Sequence, residues 1–274
     1  MALKERLNLK GQLTLSFIQK NNKTVLNKVY QHPPLRVSRV LYPESEEEAV
    51  VYLVETSGGM VAGDENDFGF RLGENTHVRM IPQSATKVYP EKEGLWSTQR
   101  FHVEVGENAF LEYAPESVIP FQDARFLSET RVHMNDSAHL VWGDILAPGR
   151  KDKDESFQYK AVDTLFEITK DEELLCFDRF SYSPSENERQ LGLGGFDTFV
   201  YYATIWAVSP SLHRNSLAEF QSLLGTAAKT RGAVTEVEEG AWHFRWLSND
   251  LIELKKEMNH VQEKVKEIIN EYQR

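Results

Sequence analysis

Four stretches in the middle of the chain decide the fold: GENTHVRMIPQS (73–84), GENAFLEYAPES (106–117), NDSAHLVWGDIL (135–146) and KDEELLCFDRFS (170–181). Each opens on turn-forming Gly, Asn, Asp or Lys beside acids, then alternates apolar with polar for about six residues. Val78, Leu111, Leu140 and Leu175 share one register position, and two residues on come Met80, Tyr113, Trp142 and Phe177. A period of two places both sets on one strand face. The starts are 33, 29 and 35 residues apart. A further alternating segment precedes the turn, as in FHVEV (101–105) and TRVHM (130–134). The unit reads as strand, tight turn, strand and long return. Such a unit cannot bury its apolar face alone, so neighbours must stack. The expected architecture is mainly β, a stacked, β-helix-like strand repeat. The spacing is compatible with a solenoid and with hairpins laid into two sheets.

The flanks read differently. Leu13, Leu15 and Phe17 alternate with Thr14, Ser16 and Ile18, the pattern of a strand. The prolines of HPPLRV (32–37) interrupt the ladder, and AVVYLVET (49–56) resumes it. Two helices are expected in the C-terminal part. One starts near Leu212, with Leu217, Phe220 and Leu224 on one face and Gly225 and Gly232 as stops. The other follows SND (248–250), with an apolar seam of Leu251, Leu254, Met258, Val261, Val265, Ile268 and Tyr272. Ser248 or Asn249 is the expected cap, with Asp250 and Glu253 near the positive end of the dipole. The chain is expected to form a single domain, 1–274, with a strand stack over 1–210 and the helices in 211–274.

The 274 residues are 41% hydrophobic and 27% charged, enough for a sizeable core. With 31 basic against 42 acidic residues the net charge is −11, which argues against nucleic acid or an anionic membrane as partner. One cysteine, Cys176, excludes an internal disulfide and fits a reducing compartment. The N-terminal MALKERLNLKGQLTLSF lacks the apolar core of a signal peptide or a span, so a cytoplasmic location is expected.

Gly58 and Gly63 in SGGMVAGDEND (57–67) have the glycine spacing of a phosphate loop. Asp64 and Glu65 stand where that loop needs lysine and a hydroxyl, so charge repels a phosphate. Gly58, Gly59 and Gly63 instead suit a sharp turn and close backbone approach, and Asp64 suits accepting N–H bonds there. The eight histidines form no H-x-H, H-E-x-x-H or Cys/His cluster, and there is no G-x-S-x-G elbow. In the repeat register Ile81, Ala114, Gly143 and Asp178 are equivalent. If the units stack, Ser84, Thr86, Glu116, Asp144 and Asp178 line one corner or an internal passage, with Ala114 and Gly143 leaving room. Oxygen ligands of that kind hold a divalent cation weakly and pass it on. They equally suit solvated corners, or the acid and base of a carbohydrate-active enzyme.

The same residues carry a family resemblance. ETSGGMVAGDENDFGFRLGENTHVRMIPQSATKVYP (55–90), FLEYAPESVIPFQDARF (110–126), LVWGDILAPGR (140–150), LLCFDRF, LGLGGFDTFVYYATIWAV and HFRWLSND resemble the urease accessory protein UreD (UreH) family over essentially the whole chain. Ser84 stands where that family usually has threonine, and Asp178 where it tends to have glutamate. The resemblance implies a non-enzymatic maturation factor with no tightly bound cofactor. Such a protein binds apo-urease, recruits UreF, docks UreG through UreF, and lets nickel pass transiently toward the urease site. A plain interaction module without a metal path remains the rival within that family. Ser84, Thr86, Glu116, Asp144 and Asp178 are the expected passage residues.

Overall fold

A computed structural model describes residues 8–184, 196–224 and 229–272. The strands run in chain order as β1 (Lys10–Lys20), β2 (Lys23–His32), β3 (Leu35–Val37), β4 (Glu48–Glu55), β5 (Glu65–Leu72), β6 (His77–Pro82), β7 (Thr86–Val88), β8 (Ser97–Val105) and β9 (Phe110–Tyr113). There follow β10 (Ser117–Pro120), β11 (Arg125–Met134), β12 (His139–Leu146), β13 (Ala161–Lys170), β14 (Glu173–Tyr182) and β15 (Tyr201–Val208). Helix α1 (Arg214–Leu223), β16 (Thr230–Glu238), β17 (Ala241–Ser248) and α2 (Leu251–Tyr272) complete the order.

These strands form two facing sheets. One runs β14-β13-β11-β8-β5-β1-β2; the other runs β16-β17-β15-β12-β9-β6-β4-β3, with β7 and β10 beside it. Between β4 and β13 the chain alternates sheets, so β5, β8, β11 and β13 lie parallel in one and β4, β6, β9 and β12 parallel in the other. This is the stacked, β-solenoid-like arrangement that the repeat implied. Parallel neighbours need a crossover, and here each crossover is a strand of the opposite sheet.

The expected register holds across three units. Val78 pairs with Leu111 and Leu111 with Leu140; Met80 pairs with Tyr113 and Tyr113 with Trp142. All six are buried between the sheets. The fourth unit departs from it. Phe177 is 58% exposed, Leu175 is only partly covered, and Cys176 between them is buried. The turns explain this. Asn75 and Asn108 are single left-handed residues that turn the chain toward the facing sheet, whereas Asp171 and Glu172 are left-handed in succession (φ 42° and 72°). Two such residues make a tight hairpin. β14 therefore folds back antiparallel on β13 in the same sheet, with a register shift at Ile168/Thr169.

At the first end of the stack, β1 presents Leu13, Leu15 and Phe17 inward and pairs with β2. At the far end β15, β17 and β16 add in antiparallel order. The outer face of that sheet is covered by α1 through Phe220 and by α2 through Leu254, Met258, Val261, Val265 and Ile269. The seam thus ends on Ile269, with Ile268 at its margin; the Tyr272 side chain and the expected stop Gly225 lie outside the described residues. Asp250 caps α2: its Oδ1 accepts from the N–H groups of Ile252 (3.0 Å) and Glu253 (3.1 Å), while Ser248 Oγ accepts from the Asp250 N–H. The expected Ser248 cap is thus one step removed, because the chain turns first around Ser248 and the helix starts only at Leu251. No helix among the described residues is long and apolar enough to cross a membrane.

Candidate functional site

The inner faces of these strands change character along their length. On β11, Met134 and Val132 are apolar, while Thr130 and Ser128, on the same face, are not; on β8, Val105, Val103 and Phe101 give way to Gln99. Sheet pairing carries the change across strands. Asn66 pairs with Gln99, Gln99 with Ser128 and Ser128 with Thr164. An amide–hydroxyl row therefore crosses the sheet along the stack, with about 4.8 Å between strands. One step down, an aromatic layer seals it from the hydrocarbon interior: Phe68 stacks on Phe101 at 4.6 Å, Trp142 on Tyr113 at 4.0 Å, and Phe166 on Trp206 at 5.7 Å.

Above this layer lies a cavity of about 70 Å³. Ser128, Thr130 and Thr164 line one wall, Asp144 and Thr204 the other, and Asp178 of β14 closes one side. A second cavity, of about 40 Å³, is lined by Glu55, Ser84 and Thr86. Gln99 faces both. The structure thus brings Asp144 and Asp178 to one chamber and Ser84 and Thr86 to its neighbour. Glu116 stands apart: its carboxylate oxygens lie 2.7 and 2.9 Å from Lys255 Nζ on α2, outside the sheets. Nor does Gly143 leave room, since a Cβ there would meet Pro115 at 2.9 Å. At Gly143 the reason is that successive strand residues point to opposite faces; Glu116 lies in the connection between β9 and β10, where strand register no longer places a side chain.

Electrostatics distinguish the two aspartates. Protein surrounds Asp144, yet its side chain is solvent-exposed, because the cavity that it lines admits water. Burial pushes its carboxyl up to about 6, against a hydrogen bond from Trp142 Nε1 to Oδ2 (2.8 Å) that favours the ion. Asp178 Oδ1 accepts from Arg245 Nη2 at 3.2 Å, and its Oδ2 lies 4.0 Å from His243 Nε2. The imidazole is stacked on Trp206 at 3.8 Å, and its Nε2 has no hydrogen-bond partner. Burial, assisted by Arg245, lowers its pKa to about 3, so the ring is neutral. In the second chamber, burial pushes the Glu55 carboxyl up, while Ser57 and Asn66 pull it back.

Sequence reasoning missed Asn66, Gln99, Ser128, Thr164 and His243. The first three were findable: each stands seven residues before its turn at Gly73, Gly106 or Asn135. The repeat register extends to the strand before each turn as well as the one after it. His243 was not findable, because β17 joins by antiparallel addition outside the repeat.

Hydrogen bonds and backbone conformation hold the glycine loop in place. Asp64 is 4% exposed and accepts from the N–H groups of Leu9 and Val61, both at 2.9 Å. Gly59 has φ +134°, and a Cβ there would lie 2.6 Å from the Lys87 carbonyl oxygen; Gly63 has φ +87°. A Cβ at Gly58 would meet only the Tyr89 hydroxyl at 3.9 Å, an ordinary contact, so the position needs no glycine.

A separate cluster sits under α2. Ligand atoms of Glu48, His77 and Glu112 lie within 4.8 Å of one another. Lys266 already supplies the cation: its Nζ is 3.0 Å from both Glu48 oxygens and 3.5 Å from Glu112, whose Oε1 is 2.6 Å from His77 Nε2. Burial works against both charges, yet Glu112 is held below its ordinary pKa by His77 and Lys266, and Lys266 above its own by Glu112 and Glu48. The network reads as the ionic clamp of α2 on β4, β6 and β9.

Comparison with known proteins gives the family. The sequence model described as "UreD urease accessory protein" matches residues 9–273. The chain is 41% identical over 249 residues to the urease accessory protein UreD of Sporosarcina pasteurii, covering 90% of this chain and 96% of that one. It is 42% identical over 252 residues to UreD of Halalkalibacterium halodurans, covering 92% of each, and 28% identical over 205 residues to UreH of Helicobacter pylori, covering 75% of each. The chain belongs to the UreD family of urease accessory proteins.

Proposed function

We propose that this protein is a urease maturation factor of the cytoplasm, without catalytic turnover. It binds apo-urease, recruits UreF and through it UreG, and conducts nickel toward the urease active site. One observation carries the conduit: Asp144, Asp178, Ser128, Thr130, Thr164 and Thr204 face one chamber between the sheets, and Gln99 lines both this chamber and that of Glu55, Ser84 and Thr86. Two aspartates supply charge, and the neutral hydroxyl and amide oxygens between them bind a divalent ion weakly enough to release it. Nickel is cargo here. At about 70 Å³ the main chamber is far smaller than the roughly 300–1,000 Å³ of ligand pockets, which speaks against a carbohydrate-active site.

The test is the double variant Asp144→Ala/Asp178→Ala. Its circular dichroism and its co-purification with urease subunits and UreF should match the wild type, while the nickel content of the activated urease falls at least several-fold. Unchanged nickel delivery would remove the conduit. Filling the space that Gln99 shares between the chambers with Gln99→Trp separates conduction from scaffolding: a module without a metal path would activate urease normally when filled.

A further inference from the structure

Asp178 has one carboxylate oxygen committed and one free. Arg245 holds Oδ1, and Oδ2 faces the His243 imidazole across 4.0 Å. His243 is 4% exposed, and its Nε2 is buried without a hydrogen-bond partner. Leaving a buried ring nitrogen unpaired is costly, so such a group calls for an explanation. The ring cannot turn away freely, because it lies flat on Trp206 at 3.8 Å and 11°. Trp206 and Asp178 both line the main chamber.

We propose that His243 Nε2 and Asp178 Oδ2 form a nitrogen–oxygen binding station for a borderline divalent transition-metal ion such as Ni²⁺, between β14 and β17 and beside the chamber that Asp178 lines. Metal bonds of about 2.0–2.2 Å to nitrogen and oxygen let one ion span up to about 4.2 Å, so the observed gap is within reach. A small rotation of Asp178 toward about 3 Å gives the right-angled arrangement common to such ions. An imidazole nitrogen adds what the oxygen-lined remainder lacks, a preference for nickel over magnesium, calcium or manganese. Arg245 on the other carboxylate oxygen offsets part of the charge, which keeps the hold weak and the ion exchangeable. The station deepens the conduit reading, since it gives the passage a means of selection.

The experiment uses the purified full chain and Ni²⁺ alone. Nickel-edge X-ray absorption of the wild type should show an imidazole ligand that disappears in His243→Phe, which keeps the stack on Trp206. Nickel affinity in that variant should fall about tenfold while Mn²⁺ binding stays unchanged. In the wild type itself, sub-stoichiometric Ni²⁺ should broaden the Trp206 indole and His243 ring resonances first, a readout that needs no variant to fold. Equal nickel affinity in a folded His243→Phe, or no selective broadening in the wild type, would overturn the station. The two readings separate cleanly. Loss of nickel binding in His243→Phe with normal urease activation by Asp144→Ala/Asp178→Ala would support the station and remove the conduit. The reverse pattern would keep the conduit and remove the station.

Discussion

Replacing Asp144 with asparagine should make the protein more stable at neutral pH. The side chain keeps its shape and still accepts from Trp142 Nε1, so only the charge is lost. In the folded protein the carboxyl titrates near 6, against an ordinary 3.8, because burial disfavours the ion. At 1.36 kcal/mol per pH unit that gap is worth at most about 3 kcal/mol, and water in the chamber screens it to about 1–2 kcal/mol. The sign follows from a raised folded pKa. Below pH 3.8 the wild type bears a neutral carboxyl whether folded or not, so it matches the variant. As pH rises toward 6 the unfolded chain ionises first and the wild type loses stability; above 6 the deficit is constant. Urea unfolding of both proteins from pH 4 to 8 measures the difference directly, since the other carboxylates cancel between them. The margin should open between pH 4 and 6 in favour of Asp144→Asn and then plateau. A less stable variant at pH 7.5, or a margin independent of pH, would refute the reasoning.

The glycine loop and the ionic clamp give two more tests. Gly59→Ala should cost about 2–4 kcal/mol, because φ +134° is hostile to a side chain and the clash is with backbone; Gly58→Ala should change stability by less than about 1 kcal/mol, and denaturant midpoints compare them. Lys266→Met should cost about 3–5 kcal/mol by leaving Glu48 and Glu112 buried without their cation. Adding Glu48→Gln to it should restore part of that loss, and hydrogen exchange should locate the weakening in α2.

Much of this protein was determined by its sequence alone, because the physics involved is local or repeats. Alternation selects strands, a turn every thirty or so residues compels stacking, and three-four spacing makes α2, so the strand stack and its covering helix could be read directly. The resemblance of SGGMVAGD and its companions pointed to the family, and the roles of Gly59, Gly63 and Asp64 followed from backbone conformation and hydrogen-bond capacity. Other features exist only in three dimensions. The fourth repeat became a hairpin because two consecutive residues took left-handed conformations, which composition does not dictate. Gly143 went to Pro115 because a strand sends neighbouring residues to opposite faces, and Glu116 went to α2 because it sits in a connection that strand register does not govern. The polar row from Asn66 to Thr164 arises from pairing between strands about thirty residues apart. The meeting of Asp178 with His243 and Arg245 requires the last hairpin to close over the stack, a contact across 65 or more residues that no local rule specifies.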